Sequence, residues 1–264
     1  MEEVTSKDGT TIAFDRSGEG PSIVIVGGAL SDRSGAAAVA SHLARRFTVI
    51  AYDRRGRGDS GDTAPYAVDR EVEDIEALIV EVGGRAAVVG HSSGAVLALE
   101  AARSYPDRIT KLALYEPPLI VDDSRVPLPE DFVTRIDALI SEGRPGDAVA
   151  YFLTTGPGMP AEVVAGMRQE PVWSSFESIA RTLAYDGTIV RDATGGSPAP
   201  LRRWASVGVT TLVMDGGASP DWIRNAALAL TEVLPDAQRR TLEGQDHGPD
   251  PKLLAPALEA FFAA

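Results

Sequence analysis

The chain has 264 residues, 44% of them apolar, enough for one sizeable core with room for an inserted subdomain. Its net charge of −13 argues against nucleic acid and anionic membrane surfaces as partners. Cysteine is absent and the three histidines are scattered, so no disulfide framework or thiolate metal site can form, and neither metal nor other cofactor is expected.

The N-terminal ten residues lack the basic-then-apolar pattern of a secretory signal. No apolar run approaches the roughly 20 residues of a membrane span, so the sequence predicts a cytoplasmic protein. Strand and helix then alternate. Residues 10–15 read as a strand after a Lys7-Asp8-Gly9 turn, and residues 22–26 as a β-branched run of the kind covered on both faces. Residues 35–46 read as a helix and 47–52 as the next buried strand. Residues 69–82 are amphipathic: Val72, Ile75, Leu78, Ile79 and Val82 share one face, and Glu71, Glu73, Asp74 and Glu76 read as a solvated one. A strand at 86–89, a helix from 95 and a strand at 111–115 follow. Such alternation implies a mostly parallel sheet with helices on both faces.

After Glu116, Pro117-Pro118 breaks the pattern and no convincing strand follows until about residue 200. Helices are predicted near 130–142, 146–154, 161–169 and 173–184. Thr194-Gly195-Gly196-Ser197-Pro198 reads as the loop returning from this insertion. The β-α pattern resumes with a strand at 209–214, a helix at 221–233, a strand at 238–243 and a closing helix from 251. The chain therefore divides into a core of residues 1–120 and 201–264 and a helical insertion of residues 121–200.

The chemistry centres on Gly90-His91-Ser92-Ser93-Gly94, which joins the 86–89 strand to the following helix. G-x-S-x-G between a strand and a helix is a nucleophile elbow, which lifts a serine hydroxyl to the apex of a sharp turn. Glycine on either side lets the two flanking segments approach, and the helix aims free N–H groups at developing negative charge. On this motif and the strand-helix order, the chain resembles the α/β-hydrolases, in which a mostly parallel, doubly wound sheet carries an inserted helical cap.

The resemblance supplies the remaining roles. His247, in Gly244-Gln245-Asp246-His247-Gly248 between the last strand and last helix, stands where the family carries its general base. His91 is read as packing, and His42 as an exposed residue of the 35–46 helix. The oxyanion donors would be the N–H of Ser93 and that of Ala29, with Leu30 as fallback and as a pocket residue. The family loop usually begins His-Gly, whereas here it is Gly27-Gly28. The acid is less plain. The usual position falls on Ser219 in Asp215-Gly216-Gly217-Ala218-Ser219, with Asp215 too early and Asp221 too late. Some members instead carry the acid after the preceding core strand. Glu116 fills that position and is preferred, with Asp215 and Asp221 as alternatives. Gly90 to Ala95, Glu116 and Pro171-Val172-Trp173 are similar to zearalenone-type lactonases, and Trp173 is read as either a pocket or a core residue. Asp53-Arg54-Arg55-Gly56-Arg57-Gly58-Asp59-Ser60 matches a family loop that shapes the site rather than a phosphate cradle.

These residues imply a serine hydrolase acting on a small-molecule carboxylic ester or lactone through Ser92, His247 and Glu116. A serine nucleophile argues against epoxide hydrolase and haloalkane dehalogenase chemistry. Thioesterase, cofactor-free perhydrolase and lyase chemistry use the same constellation, and a small-molecule receptor with an idle triad is the alternative of a different class.

Overall fold

In a computed structural model describing residues 1–264, eight strands form one sheet in the order β1-β2-β4-β3-β5-β6-β7-β8. They are β1 (Glu2–Thr5), β2 (Thr11–Ser17), β3 (Ser22–Val26), β4 (Thr48–Tyr52), β5 (Ala86–His91), β6 (Ile109–Tyr115), β7 (Thr211–Gly216) and β8 (Ala237–Leu242). β2 is antiparallel to both β1 and β4, and every other pair is parallel. The apolar runs follow from this pairing, because parallel strands are covered on both faces. In β3, Val24 and Val26 enter one core cluster while Ile23 and Ile25 enter the other. β6 divides the same way, Leu112 and Leu114 against Ala113 and Tyr115.

One face of the sheet is covered by α2 (Val68–Glu81), α3 (Ser93–Ser104) and α9 (Asp221–Val233), the other by α1 (Ala37–Leu43) and α10 (Pro251–Ala263). The chain steps outward from β3 to β4, then returns to place β5 on the other side of β3. Such a reversal opens a crevice beyond the carboxyl ends of the strands, where ligands of open α/β sheets bind. Ser92 sits at that end of β5.

Between β6 and β7 the chain forms only helices: α4 (Phe132–Ser141), α5 (Pro145–Thr155), α6 (Ala161–Met167), α7 (Val172–Ile179) and α8 (Leu183–Val190), with short 3-10 turns. Phe132, Ile136, Val149, Trp173 and Leu183 give this insertion a small apolar core of its own.

Two local expectations change, and one strand joins the sheet unforeseen. β1 carries no sequence signal, since it is a mostly exposed edge strand starting with two glutamates. The 35–46 helix is shorter, with a 3-10 turn at Arg33–Ala36 ahead of α1. The 173–184 helix breaks at Ala180–Thr182, where the Thr182 hydroxyl donates to the Ile179 carbonyl (2.8 Å), and α8 continues beyond it. No helix is long and apolar enough to cross a membrane.

Candidate active site

The turn from β5 to α3 forces Ser92 to φ 57°, ψ −128°, a conformation that L-residues avoid. The flanking glycines make it possible. A Cβ on Gly90 would lie 2.5 Å from the Ala95 Cα, and one on Gly94 would lie 2.4 Å from the Val26 carbonyl oxygen. α3 begins at Ser93, the Ala95 N–H closes back on the Ser92 carbonyl (2.9 Å), and the Ser93 N–H at the start of the helix lies beside the serine.

Glu116 follows β6 directly, also at positive φ (49°), and its side chain is 0% exposed. Its Oε1 accepts the Gly216 N–H (2.8 Å) and the Ser219 hydroxyl, and its Oε2 accepts His247 Nδ1–H (2.7 Å). Burial pushes this carboxyl up, but the His247, Ser219 and Gly216 hydrogen bonds outweigh it and hold the group below the usual glutamate range. The position where the family usually carries its acid thus holds a hydroxyl that donates to the glutamate. Asp215 is buried but faces away, accepting from Arg239 Nε (2.9 Å) and Nη2 (2.8 Å). Asp221 opens α9 with its side chain 83% exposed. Neither aspartate reaches His247, because β7 directs the first toward β8 and the second lies on the solvent face of α9.

His247 is half exposed, and its loop is held from below at two points. The Tyr115 hydroxyl donates to the Asp246 carbonyl (2.6 Å), and His91 Nε2 lies 2.9 Å from the His247 carbonyl. A carbonyl only accepts, so Nε2 of His91 carries the hydrogen. Burial and the neighbouring His247 lower the pKa of His91 to about 4, leaving it neutral at pH 7. His91 therefore lines the site as well as packing beneath it. His42 is partly buried on α1, far along the chain from these groups.

Ser92, Glu116 and His247 open into one cavity of about 410 Å³, also lined by Ala29 and Leu30. The Ala29 N–H makes no hydrogen bond within the protein. Leu30 (φ 55°), Ser92 and Glu116 are the three non-glycine residues at positive φ, and all three line this cavity. Backbone strain of about 1–3 kcal/mol per residue persists where the surroundings over-determine it, and it gathers at functional sites. Trp173 is not in the wall, which corrects its reading as a pocket residue. It is 4% exposed inside the insertion, because the apolar face of α7 turns toward α5, and its Nε1 donates to Glu177 (3.1 Å).

The sequence reading missed a buried ionic cluster behind the elbow. Arg54 donates twice to Glu71 (2.7 Å each) and once to Asp186 of α8 (2.8 Å). Arg57 donates to the other Asp186 oxygen (2.6 Å), to the Gly28 carbonyl (2.6 Å) and to the Ser31 carbonyl (3.1 Å). The Ser93 hydroxyl also donates to Asp186 (2.6 Å). Burial opposes the charge on Asp186, but Arg57 and Arg54 outweigh it and hold the carboxyl below the usual range. One carboxylate on the insertion thereby ties together the elbow, the Gly27–Ser31 loop and the 53–60 loop. Asp74 is buried likewise against Arg55 (2.7 and 2.8 Å). The solvated reading of Glu71 and Asp74 is thus wrong: arginines from the preceding loop reach over to them, and periodicity cannot show this. Glu73 and Glu76 stay partly exposed. A lone charge in the otherwise uncharged Leu183–Val190 helix was the readable signal for Asp186. The glycine-rich loop buries Asp53 too, whose carbonyl accepts the Ser60 hydroxyl (2.6 Å) and whose carboxylate accepts the Asp59 N–H (2.9 Å), while the Asp59 side chain stays exposed.

Comparison with known proteins adds four findings. A profile of the Alpha/beta hydrolase family matches residues 23–257. Among solved structures, an alpha/beta hydrolase from Sphaerobacter thermophilus is 56% identical over 99% of this chain and 100% of that one, with a TM-score of 0.93. A 2-(acetamidomethylene)succinate hydrolase of Mesorhizobium japonicum is 27% identical over 241 residues, 90% of this chain and 85% of that protein. An enol-lactonase from Burkholderia xenovorans shares the fold at 22% identity, with a TM-score of 0.70 over the whole of both chains.

Proposed function

This chain belongs to the alpha/beta hydrolase family, and on that premise we propose that it cleaves a small carboxylic ester, open-chain or cyclic, through Ser92, His247 and Glu116. The observation that carries the reading is the 2.7 Å contact between His247 Nδ1 and the buried Glu116 carboxylate, opening into the same cavity as the strained Ser92. A hydroxyl is a poor nucleophile until a base takes its proton. With Nδ1–H donated to Glu116, Nε2 of His247 is the bare, accepting nitrogen. Ser92 Oγ attacks the carbonyl carbon while its proton passes to Nε2, and Glu116 stabilises the imidazolium that forms. The tetrahedral oxyanion rests on the N–H groups of Ser93 and Ala29. Each such donor is worth about a hundred- to a thousandfold in rate.

Collapse of the intermediate breaks the bond to the leaving oxygen, which takes the proton from Nε2 and departs as the alcohol. Water then gives a proton to Nε2 and attacks the acyl carbon, and collapse of this second intermediate breaks the bond to Ser92 Oγ, which takes the proton back from Nε2 as the acid leaves. No cofactor enters these steps. The helical insertion acts as the cap that closes the cavity above Ser92, and Asp186 fixes its position over the elbow.

A fluorophosphonate probe tests the reading directly. Stoichiometric labelling of Ser92, together with turnover of p-nitrophenyl esters that Ser92→Ala abolishes, is expected. An unlabelled serine and an ester turnover unchanged in Ser92→Ala would end it. The same measurement separates an enzyme from a receptor with an idle triad.

A further inference from the structure

The wall of the cavity carries more information than its size. On the insertion side it is made by Phe132, Phe152, Leu153 and Met159, and on the sheet side by Ile120 and Trp222. No lysine or arginine lines it. The charged side chains that reach it, Glu116 and Asp186, are both acidic and buried. Both oxygens of Asp186 are taken by Arg54, Arg57 and Ser93, and the Thr194 hydroxyl is spent on the Arg191 carbonyl (2.9 Å).

The arginines nearby point elsewhere. Arg54 and Arg57 direct their donors into the ionic cluster and the Gly28 and Ser31 carbonyls. Arg125 lies behind the wall, its guanidinium 4.5 Å from the Trp222 ring centroid and its terminal nitrogens on the Thr155, Gly156 and Pro157 carbonyls. A substrate carboxylate entering this space would lose its water and find no unpaired cation in the wall, because the Arg54 and Arg57 charges are already matched by Glu71 and Asp186, an arrangement that disfavours a buried charge. An uncharged apolar chain would exchange water for hydrocarbon and aromatic contact.

We propose that this cavity selects neutral, largely apolar esters and rejects esters that carry a free carboxylate. The proposal rests on the serine-hydrolase reading for which bond is broken, but not for what the cavity admits.

Two esters with the same phenol and the same six-carbon acyl chain test it: phenyl hexanoate and phenyl hydrogen adipate. The hexanoate should be favoured in kcat/KM by about a hundredfold or more. Equal or faster cleavage of the adipate monoester would overturn the proposal. Arg125→Gln should leave the ratio unchanged, because Arg125 lies outside the wall. A selective loss of adipate cleavage in that variant would assign Arg125 as a carboxylate clamp and sink the idea equally. Calorimetric binding of both esters to Ser92→Ala reads the cavity apart from the chemistry. There the hexanoate should bind at least about tenfold tighter, and equal or tighter binding of the adipate monoester counts against the proposal. Should fluorophosphonate leave Ser92 unlabelled and neither ester turn over, the hydrolase reading fails. The binding ratio would still decide what the cavity selects.

Discussion

Replacing Glu116 by glutamine removes one charge and keeps the shape, and the structure says how the amide would sit. Oε1 accepts two hydrogen bonds, from Gly216 N–H (2.8 Å) and the Ser219 hydroxyl, while Oε2 accepts one, from His247 Nδ1–H (2.7 Å). A glutamine has one oxygen to serve both sides. If it stays on Gly216 and Ser219, the NH2 group faces His247 Nδ1, which must then become the acceptor. The hydrogen moves to Nε2, and the nitrogen that should take the Ser92 proton is already protonated. If the amide flips, its NH2 group meets the Gly216 N–H, and a backbone donor with no other partner is left buried, at a cost of about 1–3 kcal/mol. The first arrangement wins, so the wrong tautomer dominates. Losing the carboxylate also removes the countercharge to the imidazolium. In a triad this combination is worth up to about ten-thousandfold in kcat, or ~5 kcal/mol at 1.36 kcal/mol per decade. Steady-state kinetics on phenyl hexanoate should show kcat falling by about three to four orders of magnitude with little change in KM. Circular dichroism should be unchanged. A folded Glu116→Gln protein retaining more than about a tenth of wild-type kcat would refute the tautomer argument.

Asp186→Asn leaves Arg54 and Arg57 short of a buried countercharge and should cost about 3–5 kcal/mol in urea unfolding, against near-neutrality if the cluster were only solvated. His91→Gln keeps a donor for the His247 carbonyl but cannot titrate. In the wild type the folded pKa lies near 4, below the ordinary 6.5, so the stabilising contribution is complete above pH 6.5 and is lost as pH falls toward 4. The 2.5-unit difference corresponds to ~3 kcal/mol at 1.36 per unit, about 2 after allowance for partial exposure, and urea unfolding at pH 7 and 4.5 should show that slope flatten in the variant. Trp173→Ala should destabilise by about 3–5 kcal/mol while preserving the rank order of ester substrates. Phe152→Ala, in the cavity wall, should shift that order toward longer acyl chains, and an unshifted order would show that Phe152 does not limit the acyl chain.

The sequence by itself determined the layers and the elbow. β-branched runs such as Ser22–Val26 announce strands buried on both sides, helical spacing announces α2, and Gly-x-Ser-x-Gly between a strand and a helix announces the strained serine. These signals are local: each depends on residues within a few positions of one another, where backbone geometry and side-chain periodicity act directly. The pairing of Glu116 with His247 spans 131 positions and could be reached only through a resemblance, since nothing near either residue encodes the other. Tertiary structure alone decided which charges are buried. Glu71 and Asp74 look solvated on α2 because periodicity gives the angle of a side chain around its helix, not what stands opposite it. Arg54 and Arg55 stand there, and Asp186 arrives from α8 to close the cluster. Trp173 fell inside the insertion rather than in the cavity wall for the same reason. A face is written in the sequence, whereas its partner is set by how the elements pack.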